Sequence, residues 1–487
     1  MLFDNSYEGL PQEFYERINP VPVQDPKLII FNDKLGKILG IDKNKTPKQL
    51  AELFSGNVIP KGSSPIALVY AGHQFGHFVS ELGDGRAVLL GQISTPEQKY
   101  YDVQLKGSGQ TKFSRQGDGR SPLGPVIREY IVSEAMHALG IASTRSLAAV
   151  TTGEKVFRET ATPGGILTRI AESHIRVGTF EYFAAKDKTD NLKTLAEYAI
   201  KRHFPSLKDS TNCYLSLLEQ VCDRQIELIA KWMGIGFIHG VMNTDNTSIV
   251  GETIDYGPCA FMDNYDPSTV FSSIDAHGRY AFGNQPSIAQ WNMACFANCL
   301  VPLIDQDLDK AGEQAQTVIN KIFPNKMNTA LMAVMCKKIG LDSSKTNSQE
   351  TLSKLLRIML DNKSDYTLTF RYLSEIIKGK RESLFKQQFL EHNQISNWLK
   401  EWKELIKNQN LDKKEIASSM ESLNPVFIPR NHLIERAIKA AVENNDFSEM
   451  KTLLTILSKP YEEQSKYDEY MKPPKPHEVV HQTFCGT

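Results

Sequence analysis

The stretch 236–257, GFIHGVMNTDNTSIVGETIDYG, constrains the fold and the chemistry of this chain more than any other segment. Asn246 follows a long helical pattern, and Asp255 opens an Asp-Tyr-Gly triplet farther along. We predict a short hairpin over 247–254, which brings the Asn carbonyl oxygen and the Asp carboxylate onto one cation. Such oxygens are ligands that magnesium takes while it also holds substrate phosphates. The alternative is a plain corner between a helix and a hairpin, because Asn and Asp are common in turns.

Position 241 distinguishes this stretch from a phosphoryl-transfer site. Protein kinases hold their metal ions with a catalytic-loop Asn and the Asp of an Asp-Phe-Gly triplet. Related small-molecule kinases carry their base in the sequence His-Gly-Asp, and His239 and Gly240 keep that register here. Val241 stands where the Asp would be. The pattern therefore predicts a metal site without the usual base for phosphoryl transfer.

Length and composition are those of a globular protein and do not favour nucleic acid or a membrane as its partner. The 487 residues suggest about three domain-sized units or one enzyme with two unequal lobes. A net charge of −1 does not favour nucleic acid or an anionic membrane as a partner. We find no apolar run that approaches the length of a membrane span and no secretory or transit peptide. Seven Cys without a Cys-x-x-Cys pair predict neither a disulfide framework nor a zinc site, so we expect a cytoplasmic protein.

The first third of the chain is predicted to form strands around a glycine loop. Residues 1–60 read as an irregular segment with one helix near 47–54. Two strand-like runs in 66–93 flank Gly83-Asp84-Gly85-Arg86, which favours a tight hairpin. A glycine loop between two strands argues against a Rossmann site or a P-loop and fits a loop that covers phosphates. A plain β-hairpin is the alternative.

A lysine at the end of a strand is the second candidate for binding phosphate. Residues 101–106 alternate in polarity and end at Lys106, where kinase-like proteins hold nucleotide phosphates. The alternative is a lysine that faces solvent. A helix should begin near Ser121, as its N-cap, and end near Leu139. It offers Glu129 and Glu134 as partners for the lysine, and their spacing alone does not choose between them.

Two arginines follow in the next predicted strand and the turn after it. Strands are predicted over 145–153 and 165–171, and Arg169 and Arg176 carry guanidinium groups that match phosphate oxygens. For either arginine alone, a surface position is the alternative. Beyond residue 179 the pattern is mostly helical, and the clearest helices are predicted at 191–203, 213–233 and 286–304, with several more between 311 and 457.

The chain resembles the selenoprotein O family of kinase-like protein adenylyltransferases, because it carries many further motifs in the same order as that family. The match runs nearly end to end. It includes YAGHQFG (70–76), LGDGRA (82–87), QLKGSG (104–109), SRQGDGR (114–120), IREYIVSEAMHALGI (127–141), SHIRVGTFEYF (173–183), HGVMNTDN (239–246), IDYGP (254–258) and GRYAFGNQPSIAQWN (278–292).

The resemblance implies an α+β, protein kinase-like fold with two lobes, a β-rich N-terminal lobe and a large helical C-terminal lobe. The expected divisions are an extension over 1–60, the small lobe over 61–175, the large lobe over 176–460 and an extended tail over 461–487. The loop-rich region 258–285 takes the place of a kinase activation segment.

The resemblance also implies the activity and its residues. The expected reaction transfers AMP from ATP to Ser, Thr or Tyr hydroxyls of proteins, including the enzyme itself, with release of pyrophosphate. ATP is held in a flipped orientation, Mg²⁺ or Mn²⁺ serves, and with manganese UMP is also transferred from UTP. An ordinary protein kinase and a non-catalytic pseudokinase scaffold that binds nucleotide are the alternatives. The implied roles are nucleotide contacts at Gly83, Gly85, Arg86, Lys106, Asp118, Gly119, Arg169, Arg176 and Asp255, metal ligands at Asn246 and Asp255, the proton acceptor at Asp245, and the lysine's partner at Glu129.

One departure from the family concerns cysteine. Many members carry a near-terminal Cys and a Cys in the activation segment that form a disulfide. Cys485 matches the first, but Phe271 aligns with the second. We hypothesise that Cys485 instead pairs with Cys259 under oxidising conditions. The alternative is a buried, inert thiol at position 259.

Overall fold

An antiparallel sheet of eight strands forms the first part of the molecule. The structure, a computed structural model, describes residues 3–41, 44–95, 97 and 99–483. The sheet order is β1-β3-β6-β7-β10-β9-β2, with β8 paired to β10, and two separate two-stranded sheets join β4 to β5 and β11 to β12. The strands are β1 Tyr15–Arg17, β2 Lys27–Phe31, β3 Ile66–Leu68, β4 Gly72–Gln74, β5 His77–Val79, β6 Ala87–Ser94, β7 Tyr100–Lys106, β8 Ser121–Pro122, β9 Arg145–Phe157, β10 Ala161–Ala171, β11 Phe237–Ile238 and β12 Ala260–Phe261.

Helices dominate the chain after the sheet. One long helix, α3, lies between β8 and β9 and packs on β9 and β10 on one side and on α15 and α16 on the other. The helices are α1 Asp33–Ile38, α2 Pro47–Ser55, α3 Leu123–Ala138, α4 Val177–Ala184, α5 Thr189–His203, α6 Cys213–Ile235, α7 Gln285–Ile304, α8 Leu308–Thr317, α9 Phe323–Lys338, α10 Thr346–Asn362, α11 Tyr366–Ile377, α12 Glu382–Lys386, α13 His392–Asn408, α14 Lys413–Glu421, α15 Asn431–Asn444 and α16 Ser448–Leu457.

The prediction for residues 1–60 was incomplete. The helix near 47–54 is confirmed as α2, whose N-terminus carries a Thr46–Gln49 capping box and a Pro in the first turn. The segment also contains α1 and two strands, β1 and β2, that pair with β3 and β9 in the main sheet. The prolines before β2 concealed it, although a proline is tolerated just ahead of an edge strand.

The sequence had predicted that the glycine loop closes a tight hairpin, and this prediction is wrong. β3 does pair with β6, but the connection between them holds an inserted hairpin, β4–β5, before the glycines. The N-terminus of α3 also differs, because its N-cap is Pro122 while Ser121 belongs to β8. The predicted strands around Arg169 are confirmed as β9 and β10.

β7 is confirmed, and both of its faces are buried. Val103 and Leu105 pack in the core on one face, whereas Gln104 and Lys106 are also buried on the other. Lys106 is only 8% exposed, which excludes the alternative of a solvent-facing lysine. A charged group in such a position requires buried partners of opposite charge.

The three clearest predicted helices are confirmed as α5, α6 and α7, but the predicted hairpin over 247–254 is wrong. Its two sides bridge to other parts of the chain, Ser248 to Arg176 and Thr253 to Ser143. The turn between them uses Gly251 at φ 74°, a conformation that glycine adopts without steric cost. The segment is therefore held from outside rather than by its own strand pairing.

One helical stretch, Phe282–Ile304, is long and apolar enough by length and composition to cross a membrane. The sequence had indicated no apolar run of such length. Within the described residues, Met293, Phe296 and Leu300 of this helix are fully buried in the main core, and Phe296 packs edge-on against Phe180 of α4. These contacts are those of a central core helix.

The C-terminal tail passes beside the Asp-Tyr-Gly triplet. The backbone N–H of Thr483 donates to Phe271 O at 2.8 Å, and its hydroxyl donates to Pro258 O at 2.7 Å. Cys259 is buried, as the alternative to a disulfide had predicted. Cys485 lies outside the described residues, so its pairing with Cys259 stays a prediction.

Candidate active site

A cavity of about 670 Å³ collects almost every residue for which the family resemblance implies a role. Its size is that of a site for a small molecule such as a nucleotide. Glu129 is the exception, since it lies directly behind the lysine rather than in the wall. The named residues that line the cavity are Gly83, Gly85, Arg86, Lys106, Asp118, Gly119, Arg169, Arg176, Asp245, Asn246 and Asp255.

The two candidate glutamates of α3 have different partners. Glu129 Oε2 accepts a hydrogen bond from Lys106 Nζ at 2.6 Å. Glu134 instead accepts from Arg145 and from the backbone N–H of Ser146. The choice that the sequence left open is therefore settled by geometry, and Glu129 is the partner of the strand lysine.

Three cationic side chains meet at Asp255. Lys106 Nζ lies 3.1 Å from Asp255 Oδ1, Arg169 Nη2 lies 2.7 Å from the same oxygen, and Arg176 Nη1 lies 3.4 Å from Oδ2. Arg169 also donates to Glu129, so two carboxylates and three cations form one network that is buried except at the partly exposed Asp255. Such a group of charges is stable only when its members compensate each other.

The electrostatics of this network favour the ionised carboxylates. Burial alone would raise the pKa of Asp255, but the charges of Arg169, Lys106 and Arg176 hold it well below its usual value. The pKa of Glu129 is likewise lowered, since Arg169 and Lys106 outweigh the effect of burial. Both carboxylates are therefore ionised and balance the cationic side chains that contact them.

Local backbone features aim Asp255 into the cavity. Asp255 has φ 61°, the left-handed region that non-glycine residues seldom adopt. The residue before it is fixed, since the Ile254 carbonyl oxygen lies 2.8 Å from His239 Nε2. The residue after it is fixed by a short hydrogen bond between the hydroxyls of Tyr256 and Ser143. Backbone strain of this kind persists where the surroundings impose it, and it is common at functional sites.

Asn246 and Asp245 lie on a short 3-10 turn, Thr244–Asn246. The side-chain N–H of Asn246 donates to Val241 O at 3.1 Å, which directs its carbonyl oxygen away from that contact. Asp245 is buried, and among the described residues its Oδ1 has no hydrogen-bond partner. Burial raises the pKa of Asp245 to about 7, with the charge of Arg176 acting in the opposite direction.

The glycine loop packs so closely against Phe113 that Gly83 and Gly85 leave no room for a side chain. A Cβ at Gly83 would lie 2.3 Å from the Phe113 ring, and one at Gly85 would lie 2.7 Å from its carbonyl oxygen. Asp84, which the sequence analysis gave no role, is buried and accepts from Gln104 Nε2 at 3.1 Å. The hydrogen bond from Gln104 thus anchors the loop to β7, and Gly83 and Gly85 line the cavity.

Arg158 and Gln74 also line the cavity, and the sequence had indicated a role for neither. Arg158, at the turn between β9 and β10, forms a double hydrogen bond to the Asp118 carboxylate at 3.0 and 2.9 Å. Gln74, on β4, donates to Asp245 Oδ2 at 3.2 Å. Gln74 belongs to the motif YAGHQFG, which could have drawn attention to it, whereas nothing in the local sequence marks Arg158.

The residues around Asn246 and Asp255 suit a divalent cation of the hard type. An amide oxygen and a carboxylate line the same cavity, and such donors are those that Mg²⁺ and Mn²⁺ prefer. Both carboxylate oxygens of Asp255 contact cationic side chains in this structure. When nucleotide phosphates bind those cationic side chains, the carboxylate oxygens of Asp255 would become available to a metal ion.

Comparisons with known proteins identify the family. The sequence profile described as Protein adenylyltransferase SelO matches residues 1–458. The chain is similar to proteins named Protein nucleotidyltransferase YdiU. It is 57% identical over 487 residues to the one from Maridesulfovibrio salexigens, with 100% of this chain and 98% of the relative covered. It is 52% identical to the one from Rhizobium johnstonii, with 100% and 97% covered. It is 50% identical to the one from Agrobacterium fabrum, with both chains covered completely.

Fold, cavity and comparisons together define an α+β enzyme of the nucleotidyltransferase class, which takes a nucleotide as one substrate and proteins as the other. The chain belongs to the SelO family of protein adenylyltransferases.

Proposed function

We propose that this enzyme transfers AMP from ATP to the hydroxyl groups of Ser, Thr and Tyr in proteins, itself included. The observation that carries the proposal is the convergence of Lys106, Arg169 and Arg176 on Asp255 at the wall of the cavity. The three cations outnumber the two carboxylates, Glu129 and Asp255, that pair with them within 3.4 Å. We assign them to the β- and γ-phosphates of a nucleotide in the flipped orientation that the family resemblance implies. The α-phosphate then faces Asp245 and Asn246.

The reaction that follows from this orientation is a displacement at the α-phosphorus. The acceptor oxygen forms a bond to that phosphorus, and the bond from phosphorus to the α,β-bridging oxygen breaks. Pyrophosphate leaves with the electron pair, and the carboxylate of Asp245 takes the hydroxyl proton. A carboxylate with a pKa of about 7 suits this task, because a general base works best when its pKa lies near the working pH.

Asn246 and Asp255 are the residues that we propose as ligands for Mg²⁺ or Mn²⁺. The ion, when bound, neutralises charge on the phosphates in the transition state. Lys106, Arg169 and Arg176 hold the leaving pyrophosphate, Glu129 holds Lys106 and Arg169 in place, and the glycine loop approaches the phosphates through its backbone.

The wider assignments rest on the same resemblance. We propose a kinase-like fold with a sheet lobe over 61–175, joined by the strands of 1–60, and a helical lobe over 176–460 that carries the tail 461–487. We assign the nucleotide contacts to the glycine loop, Asp118 and Gly119 together with the cations. A cytoplasmic location and UMP transfer with manganese belong to the same proposal.

The position of the label on ATP tests the reaction. We expect protein labelled from α-³²P-ATP with Mg²⁺ and no label from γ-³²P-ATP, with α-³²P-UTP and Mn²⁺ as a parallel reaction. Label from γ-³²P-ATP would indicate a kinase, which the Val241 side chain in the cavity wall disfavours. No label from any donor, with nucleotide still bound, would indicate a scaffold.

A further inference from the structure

The inserted hairpin β4–β5, Gly72–Val79, packs against both α4 and the turn that carries Asp245. The sequence had predicted only one hairpin here, closed by the glycine loop, and not this one. Its contacts with the turn are hydrogen bonds from three successive residues, His73, Gln74 and Phe75, to the three residues 243–245. These three hydrogen bonds hold residues 243–245 in a fixed position against the hairpin.

We propose that Gln74 is a positioning residue for Asp245, and this inference rests on the proposed role of Asp245 as proton acceptor. The amide N–H of Gln74 donates to Asp245 Oδ2 at 3.2 Å, and both residues line the cavity. Asp245 Oδ1 is buried and has no hydrogen-bond partner among the described residues. Oδ2 is therefore the oxygen that meets the acceptor hydroxyl, and Gln74 holds it in line.

Close packing on the other side of the carboxylate reinforces this assignment. A Cβ at Gly72 would lie 2.6 Å from Asp245 Oδ1 and 2.8 Å from its Cβ. Gly178 of α4 also approaches this residue, since a Cβ there would lie 3.3 Å from Asp245 Cα. With glycines behind it and an amide in front of it, the carboxylate has few rotamers to choose from.

The flanking contacts fix the backbone of the turn. The His73 N–H donates to Thr244 Oγ1 at 2.7 Å, and the Thr244 hydroxyl donates in turn to Glu181 Oε2. His73 Nδ1 lies 2.6 Å from Glu181 Oε1, which closes the loop of contacts. The Phe75 N–H donates to Asn243 Oδ1 at 3.1 Å. Gln74 thus projects from a rigid support, as a side chain that orients a catalytic group requires.

The test is a double-mutant cycle with Gln74→Met, which keeps the volume and removes the donor, and Asp245→Ala. We expect Gln74→Met to lower kcat for self-modification from α-³²P-ATP by about 10- to 100-fold, because misplacement of a reacting group is costly. The Kd for ATP with Mg²⁺, measured by calorimetry, should not change. In the Asp245→Ala background, Gln74→Met should cause no further loss, since coupled residues are not additive.

Two further variants guard the interpretation. Gln74→Leu also removes the donor at nearly the same volume and should lose kcat as well, so a folding defect of the Met variant alone leaves the test intact. His77→Ala, on the exposed strand of the same hairpin, should retain wild-type kcat. Wild-type kcat in both Gln74 variants, or an equal loss with and without Asp245, would overturn the proposal.

A structural readout separates this inference from the proposed reaction. Absence of AMP transfer by the wild type would refute the reaction, and crystal structures of wild type and Gln74→Met would still decide the role of Gln74. We expect the Asp245 carboxylate to leave its wild-type rotamer in the variant. An unchanged rotamer would overturn the inference.

Discussion

The side-chain nitrogen of Lys106 lies 2.6 Å from Oε2 of Glu129, and this bond joins β7 of the sheet to α3 behind the cavity. Glu129 also accepts from Arg169, so one carboxylate orients two of the cations that we assign to the phosphates. The second glutamate of the helix, Glu134, has no part in this network and serves Arg145 instead. The two residues therefore offer a matched pair of substitutions.

Glu129→Gln should weaken ATP binding and lower AMP transfer by about tenfold or more, because Lys106 and Arg169 lose their common anchor. It should also destabilise the protein by up to about 3–5 kcal/mol, since breaking a buried ion pair leaves uncompensated charge. Glu134→Gln should lower only the stability. Calorimetric ATP titration and thermal unfolding of both variants make the comparison. Equal effects on ATP binding would contradict the assignment of Glu129.

Asp255→Ala should abolish transfer by a folded protein. The substitution removes the proposed metal ligand and the carboxylate on which three cations converge, and we expect a loss on the order of 100-fold or more. Glu350→Ala, at an exposed site on α10, is the control for a lost carboxylate. Label transfer from α-³²P-ATP and circular dichroism are the measurements. Normal activity in a folded Asp255→Ala protein would refute the metal assignment.

Val241→Asp should not produce an efficient kinase. A nucleotide held by Lys106, Arg169 and Arg176 through its β- and γ-phosphates presents its α-phosphorus, so a base restored at position 241 faces the wrong atom. The assay compares label from γ-³²P-ATP and α-³²P-ATP for wild type and variant. Robust transfer of the γ-phosphate by the variant would show that ATP sits in the ordinary kinase orientation.

Sequence reasoning found the parts of the site that depend on residue type and local pattern. The alternation of 101–106 predicted β7 and its lysine, and helical periodicity predicted α3 with two candidate glutamates. Periodicity does not report which residue of a helix reaches a strand, so the choice of Glu129 needed either the family resemblance or the fold. The buried polar face of β7 was equally invisible, because it depends on helices distant in sequence.

The features that sequence reasoning missed depend on long-range pairing. The two sides of 247–254 pair with Arg176 and Ser143 rather than with each other, and local turn chemistry carries no sign of this. The hairpin β4–β5 was hidden because its strands span three residues each, too short for a clear alternation. Gln74 therefore had no predicted place, although its motif was recognised.

A buried lysine in the helical region gives a prediction independent of the active site. Lys338 of α9 is 2% exposed, and its Nζ donates to Asn424 Oδ1 at 2.8 Å and lies 4.3 Å from the centre of the Phe370 ring. No carboxylate pairs with it among the described residues. Burial lowers the pKa of Lys338 to about 7.

The free energy of unfolding should therefore depend on pH in a defined window. Between about pH 7 and the ordinary lysine pKa near 10.4, the unfolded chain binds a proton that the native protein does not. Stability from this residue consequently rises with pH across that window, by up to about 1.4 kcal/mol per pH unit, and is lowest below pH 7. Lys338→Met removes the proton and should flatten the dependence.

Urea unfolding at pH 7, 8 and 9, followed by the fluorescence of Trp398 and Trp402 in the same core cluster, measures the effect. The stability of wild type relative to Lys338→Met should increase with pH. Lys337→Met, an exposed neighbour on α9, should retain the wild-type dependence. Lys338→Met also removes the hydrogen-bond donor to Asn424. This loss shifts the difference in unfolding free energy between wild type and variant by about 1–3 kcal/mol at every pH, and it does not change how that difference depends on pH. Parallel curves for wild type and Lys338→Met would show that Lys338 keeps its proton in the native protein throughout this range.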